Sequence, residues 1–371
     1  MVYRFVYALI VEMSMLKKID YLPFLESCWQ EHLAPRESNA PTVISTFAGC
    51  GGSSLGYSMA GFRELLAIEW DDNAVATFKL NFPDVPIYHG DIAKISVEQI
   101  LEMTGLKVGE LDVFDGSPPC QGFSTAGKRQ FTDDRNQLFL EFSQLLRGLQ
   151  PKVFVMENVS GMVKGKMKII FAEILRELKS CGYKVSARLL NAMYFNVPQS
   201  RQRLIFIGVR NDLGIETSHP KAESRPFTVK DAIEDLKGNK EDDRYLGELL
   251  QKVSKIQPDL WEMDRQRYRF IKGNIAGAIG TKWAGWNRVC GAIIKSEIAM
   301  CGTIHPDRER YLSVQETQRI FSFPDKYIFI GDRKNRIARM GNSVPPLFMR
   351  AIAKHIRGLL ADIQADTGDG S

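Results

Sequence analysis

The sequence predicts a doubly wound α/β fold carrying a smaller inserted domain, and three observations support that prediction. First, a β-branched run, Thr42-Val43-Ile44-Ser45-Thr46-Phe47, leads directly into a glycine turn and a helix start, Ala48-Gly49-Cys50-Gly51-Gly52-Ser53-Ser54-Leu55-Gly56. Second, further apolar runs at 65–68, 111–114 and 153–156 stop at polar or small residues: Glu69, Asp115-Gly116 and Glu157. Strands that end this way put chemistry-bearing groups along one sheet edge. Third, composition shifts over about 211–301, where acidic Glu241, Asp242 and Asp243 give way to a stretch rich in glycine, tryptophan and arginine with no repeat.

At 371 residues the chain is long enough for one large domain with a smaller one attached. Its net charge of +5 is a mild basic excess, compatible with a polyanionic partner and shared by many soluble enzymes. The cysteines at 28, 50, 120, 181, 290 and 301 form no C-x-x-C pair and no His/Cys cluster at zinc spacing. That pattern predicts a reducing compartment and no structural metal. Within an N-terminal extension of 1–41, the run Phe5-Val6-Tyr7-Ala8-Leu9-Ile10-Val11 is too short to span a membrane and leads into Glu12 without a small-residue cleavage site. It reads as a docking helix rather than a secretory signal, and Met13 and Met15 are alternative starts.

Taken in order, the strand and turn at 42–56 aim backbone amides and a helix N-terminus at a ligand, with Gly49 and Gly51 allowing close approach. The spacing departs from a strict G-x-G-x-x-G. Glu69 lies where such folds place a carboxylate on ribose hydroxyls, and the adjoining Trp70 offers a ring suited to stacking on adenine. His89-Gly90-Asp91-Ile92 taken by itself is a turn. In Asp115-Gly116-Ser117-Pro118-Pro119-Cys120-Gln121-Gly122-Phe123-Ser124 the prolines hold an extended turn, so the thiol falls at the carboxyl end of a strand. Taken alone, Cys120 fits a packed core as well as a nucleophile. The polar, basic loop 125–136 precedes the helical pattern of Leu138, Phe139, Phe142, Leu145 and Leu146, and suits closure over a phosphate backbone. A carboxylate at Glu157, beside Asn158, is costly unless it is paired or at work, which favours a general acid. Alternation puts Arg201 and Arg203 on one face ahead of the strand 204–209, an arrangement suited to clamping anions or acceptor groups. Near the end, Pro345 and Pro346 open a helix carrying Leu347, Ile352, Ile356, Leu359 and Leu360, with an acidic, frayed tail from Ala361.

Pro-Pro-Cys-Gln-Gly-Phe-Ser, the Phe-x-Gly-x-Gly-Gly turn, Glu-Asn-Val, Gln-x-Arg-x-Arg and Gly-Asn-Ser-Val-Pro-Pro, in this order, resemble the segments of the DNA (cytosine-5) methyltransferases over about residues 43–352. The resemblance implies a Rossmann-like, S-adenosylmethionine-dependent catalytic domain at 42–210 and 302–371, with a target-recognition domain at 211–301. It implies Cys120 as nucleophile, Glu157 as its acid partner, and Arg201 and Arg203 as residues that bind the base and order the carboxylate. The cofactor residues it implies are Phe47, Gly49, Gly51, Leu55, Glu69, Trp70, Asp91, Ile92, Pro119, Asn342 and Val344. Ser313, Gln315, Gln318 and Phe321 stand where the family commonly has Thr, Arg, Ala and Gln, in a segment that is structural in the family. A family Thr-Leu or Thr-Ile pair corresponds to Ala292-Ile293 or to Thr303-Ile304, and Lys282 and Arg288 lie among the glycines and tryptophans of the insert.

The implied activity is methyl transfer to C5 of a flipped-out cytosine in a specific double-stranded DNA sequence, through a covalent Cys-C6 adduct. Implied with it are a separately encoded restriction endonuclease, a monomer on DNA and a cytoplasmic, nucleoid-associated location. A tRNA-modifying branch shares the catalytic parts. A silent DNA-binding relative would be expected to have lost Cys120 or Glu157, and a dehydrogenase leaves the Cys, Glu and paired Arg unexplained.

Overall fold

The computed structural model describes residues 19–119, 137–163, 167–237, 281–295, 302–307 and 309–368. The apolar run 5–11, Cys120 and the basic loop after it lie outside the described residues. In chain order the elements are α1 (Tyr21–Leu33), β1 (Thr42–Thr46), α2 (Gly52–Met59), β2 (Arg63–Glu69), α3 (Asp72–Asn81), β3 (Ile87–His89), α4 (Val97–Thr104), β4 (Val113–Gly116), α5 (Gln137–Leu149), β5 (Val153–Val159), α6 (Met167–Ser180), β6 (Tyr183–Asn191), β7 (Gln199–Ser200) and β8 (Gln202–Arg210). After them come α7 (Val229–Ile233), β9 (Thr281–Trp283), β10 (Cys290–Gly291), β11 (Gly302–Ile304), α8 (Val314–Ile320), α9 (Arg333–Asn342) and α10 (Pro346–Gly368). Contacts divide the chain into two compact units.

The unit formed by Gln30–Leu190, Gln202–Lys221 and Met349–Ser371 is built on a seven-stranded sheet of order β3-β2-β1-β4-β5-β8-β6. Its central strands carry apolar side chains toward both faces: Val43, Ile44, Leu66, Val113, Phe114, Phe154 and Val155 are all fully buried. Only a sheet covered by helices on both sides satisfies such strands, and β1, β2, β3, β4 and β5 accordingly run parallel. Aromatic packing ties one covering helix to the sheet. Phe142 of α5 stacks on Phe114 at 5.0 Å, and Phe154 meets both Phe142 and Tyr183 edge to face. Strand order reverses between β1 and β4, so their carboxyl ends border the crevice where ligands of open α/β sheets bind. β8 runs antiparallel to β5, pairing Val159 with Arg203 and Val153 with Val209. Its first residues therefore arrive at the edge where the parallel strands end.

The other unit, Met1–Trp29, Asn191–Arg201 and Ala222–Phe348, holds two small parallel pairs, β10 with β7 and β11 with β9. Its interior contains a buried ion pair. Arg310 donates to both carboxylate oxygens of Glu316 at 2.7 Å, with His305 Nε2 3.4 Å from the same carboxylate. Two of the departures from the family pattern have local roles here. Ser313 caps α8 in a reciprocal box with Glu316, and Gln318 donates to the carbonyls of Pro324 and Tyr327. Segment 302–348, expected to return to the catalytic domain, belongs to this contact unit together with 222–295.

One expectation is corrected. The tail from Ala361 is helical through Gly368, because Ile363 continues the apolar stripe and is buried. Among the described residues no helix is long and apolar enough to cross a membrane.

Candidate active site

The glycine turn after β1 is held in an uncommon backbone conformation, with Phe47, Gly49 and Gly51 at φ 55°, 57° and 91°. Glycine adopts such angles freely; a phenylalanine does so only when its surroundings impose them, which marks the turn as pre-shaped. Glu69, at the end of β2, supplies part of that constraint. Its Oε2 accepts from Gly49 N at 2.7 Å, while Oε1 accepts from Trp70 N and Asp71 N at 2.9 Å each. Oε2 keeps a further lone pair, so the carboxylate can brace the turn and still accept from a ligand hydroxyl. α2 starts with Gly51 at its N-cap and no side-chain cap, leaving first-turn amides for an anionic group. Trp70 is 76 % exposed, far more than a packing tryptophan. Asp91 is exposed and accepts from Ala93 N at 3.1 Å, whereas Leu55 and Ile92 are buried. A pre-shaped turn, a braced carboxylate and an open indole fit a nucleoside-containing cofactor.

The next two strands bring the reactive groups to the same edge. β4 ends at Gly116, Pro118 is buried and Pro119 is exposed, one residue before Cys120. Asn158 of β5 donates from Nδ2 to the Pro118 carbonyl at 3.1 Å, and its Oδ1 accepts from Val159 N. The sequence flagged Asn158 only as Glu157's neighbour, and its function as a tether for the Pro-Pro turn emerges from this geometry. Glu157 meets Arg203 Nε at 2.6 Å, with the two side chains 12 % and 16 % exposed. The antiparallel entry of β8 makes that pair possible. Arg201 has different partners from Arg203. Only 3 % exposed, it donates to the main-chain carbonyls of Ile293, Gly341 and Ser343 and lies 5.3 Å from the Phe321 ring centroid. It thereby holds the turn containing Asn342, ahead of the buried Val344. Sequence reasoning also missed the buried Asp115. Tyr57 Oη donates to it at 3.2 Å, and burial pushes its carboxyl up to about 8.

Sheet order and site together define a Rossmann-like methyltransferase fold. A solved E. coli prophage-encoded chain described as a DNA modification methyltransferase superimposes with a TM-score of 0.68 at 25% identity, covering 87% of this chain and 100% of its own. The type II methyltransferase M1.HphI of Haemophilus parahaemolyticus is 35% identical over 333 residues, spanning 85% of this chain and 86% of that relative. M.NgoPII of Neisseria gonorrhoeae, another type II methyltransferase, is 32% identical over 361 residues, spanning 89% and 99%. The model of the C-5 cytosine-specific DNA methylases matches residues 41–358. The chain belongs to that family and is a DNA (cytosine-5) methyltransferase.

Proposed function

We propose that the protein transfers a methyl group from S-adenosylmethionine to C5 of a cytosine flipped out of a specific double-stranded DNA sequence, as the modification half of a type II restriction-modification system. The observation that carries this reading is the end of β5, where Glu157 pairs with Arg203 and Asn158 fastens the turn leading to Cys120. C5 of cytosine is a weak nucleophile, so a thiolate from Cys120 adds at C6 while Glu157 stabilises the proton on N3, making C5 enamine-like. The bound cofactor supplies an electrophilic methyl group and leaves as a neutral thioether. Removal of the C5 proton by water then lets the Cys120 sulfur depart as thiolate, restoring the aromatic base. Arg203 keeps Glu157 oriented, and Arg201 acts at a remove by fixing the turn of 341–343. A stacked base cannot admit sulfur to C6, which is why the cytosine leaves the helix.

In this reading the turn 47–51, Leu55, Glu69, Trp70, Asp91, Ile92 and Pro119 hold the cofactor, and the family resemblance adds Asn342 and Val344 to that set. Segments 42–210 and 302–371 are the catalytic part, and 211–301 reads the DNA. The test is Cys120→Ser. A hydroxyl is far less ionised than a thiol of pKa about 8.5, so the variant should bind S-adenosylhomocysteine normally yet neither methylate DNA nor trap 5-fluorocytosine duplexes. Substantial methylation by that variant would refute the nucleophile. Bisulfite sequencing of DNA and tRNA from an expressing cell decides the substrate.

A further inference from the structure

Asp115 takes no part in the chemistry above, yet it is a carboxyl only 2 % exposed on a central strand. Its Oδ1 accepts from Tyr57 Oη at 3.2 Å, the Ser53 hydroxyl lies near it, and its main-chain carbonyl accepts from Thr46 Oγ1 at 3.0 Å. Ser53 and Tyr57 lie a turn apart on α2, which opens at the glycine turn, and Thr46 ends the strand feeding that turn. Asp115 itself is next to the last residue of β4, ahead of the prolines and Cys120. One side chain therefore joins the cofactor side of the crevice to the strand that delivers the nucleophile. A second carboxyl, Glu64 of β2, accepts from Ser54 Oγ at 2.9 Å.

We propose that Asp115 is a positioning residue: through the hydrogen bonds of its buried carboxyl and main-chain carbonyl it fixes the end of β4, and the turn leading to Cys120, against the helix that opens at the cofactor loop and the strand before it. The proposal rests on the reading of that loop and of Cys120 given above. The Tyr57 and Ser53 hydroxyls favour its ionised form, and burial outweighs them. Ionised, it would be a buried charge facing Glu64 of β2 and Glu157 of β5, stabilised among the described residues by the two hydroxyls of α2. Burial places its ionisation at about 8, and burial likewise lifts Glu64 to about 7, partly offset by the hydroxyl of Ser54. The folded form thus holds these protons more tightly than the unfolded chain. Stability is greatest at low pH with respect to these groups, falls as pH rises from the ordinary carboxyl range, and levels off above about 8.

The experiment is calorimetric titration with S-adenosylhomocysteine, together with thermal melting, from about pH 6 to about pH 9. The full-length wild type is compared with Asp115→Asn, Asp115→Ala and Tyr57→Phe. Wild-type affinity should decline toward the alkaline end. Asp115→Asn, neutral throughout, should match the wild type near neutrality and lose the decline. Asp115→Ala should bind roughly tenfold more weakly and Tyr57→Phe several-fold more weakly. If the alanine variant does not fold, the other two decide. An asparagine variant that keeps the wild-type decline, or a phenylalanine variant that binds as wild type does, overturns the proposal. A wild type that binds no S-adenosylhomocysteine overturns the cofactor reading first and this inference with it; unchanged variants of a binding wild type overturn the inference alone.

Discussion

Glu157 and Arg203 illustrate how a reactive carboxylate is kept where it is needed. An unpaired carboxylate at 12 % exposure would be costly, and the guanidinium at 2.6 Å offsets that cost while holding the group in one orientation. Glu157→Gln keeps shape and hydrogen bonding but cannot share a proton with N3. Single-turnover methyl transfer should fall about 10²–10⁴-fold with S-adenosylhomocysteine affinity unchanged. Rapid-quench assays on a cognate duplex measure this, and a loss of under tenfold would remove Glu157 from the proton path. The sequence identified Glu157 because a polar residue at the end of an apolar strand stands out. It was silent on which arginine reaches Glu157, since Arg201 and Arg203 look alike in an alternating pattern and differ only in what surrounds them.

At the scale of elements, β4 is four residues long and its place between β1 and β5 depends on the small residue that closes it. A Cβ on Gly116 would come within 2.3 Å of Thr46 Oγ1 and 2.6 Å of a Phe142 ring carbon. Both neighbours are themselves buried, so neither has room to yield. Gly116→Ala should therefore cost about 1–3 kcal/mol of stability, and it should lower activity by shifting the turn toward Cys120. Gly161→Ala, where an added Cβ would meet nothing within 4 Å among the described residues, is the control and should stay within about 0.5 kcal/mol. Urea denaturation of the two variants makes the comparison; equal losses would mean that the close approach at Gly116 is relieved at no cost. The glycine is visible in the sequence, but the reason for it is a contact with a helix that begins twenty-one positions later.

For the whole molecule, phosphate contacts fix a protein on DNA and base contacts specify the site, so sequence choice should travel with 211–301. Exchanging that stretch for its counterpart from another family member should redirect methylation to the donor's site, as read by bisulfite sequencing. The graft has to supply a main-chain carbonyl at position 293 for Arg201 and a strand at 290–291 to pair with β7. A swapped enzyme that folds and still methylates the original site would refute the assignment of DNA reading to this segment. Arg288 is exposed among the described residues of the insert and is available for such contacts.

By itself the sequence determined the order of strand, glycine turn and helix, the strand ends at Glu69 and Gly116, and the family, whereas β5 runs two residues past Glu157. Those features are written locally, in β-branched runs, glycines and prolines whose preferences hold wherever they occur. Tertiary structure alone decided that β8 runs antiparallel and presents Arg203 to Glu157, and that Arg201 fastens a turn about 140 residues away in the chain. It also decided that Glu69 braces the glycine turn, that the last helix extends past Ala361, and that Asp115 is a buried, proton-holding group. Burial, register and partnership come from residues distant in the chain, and a side chain's charge state follows from them rather than from its neighbours in sequence.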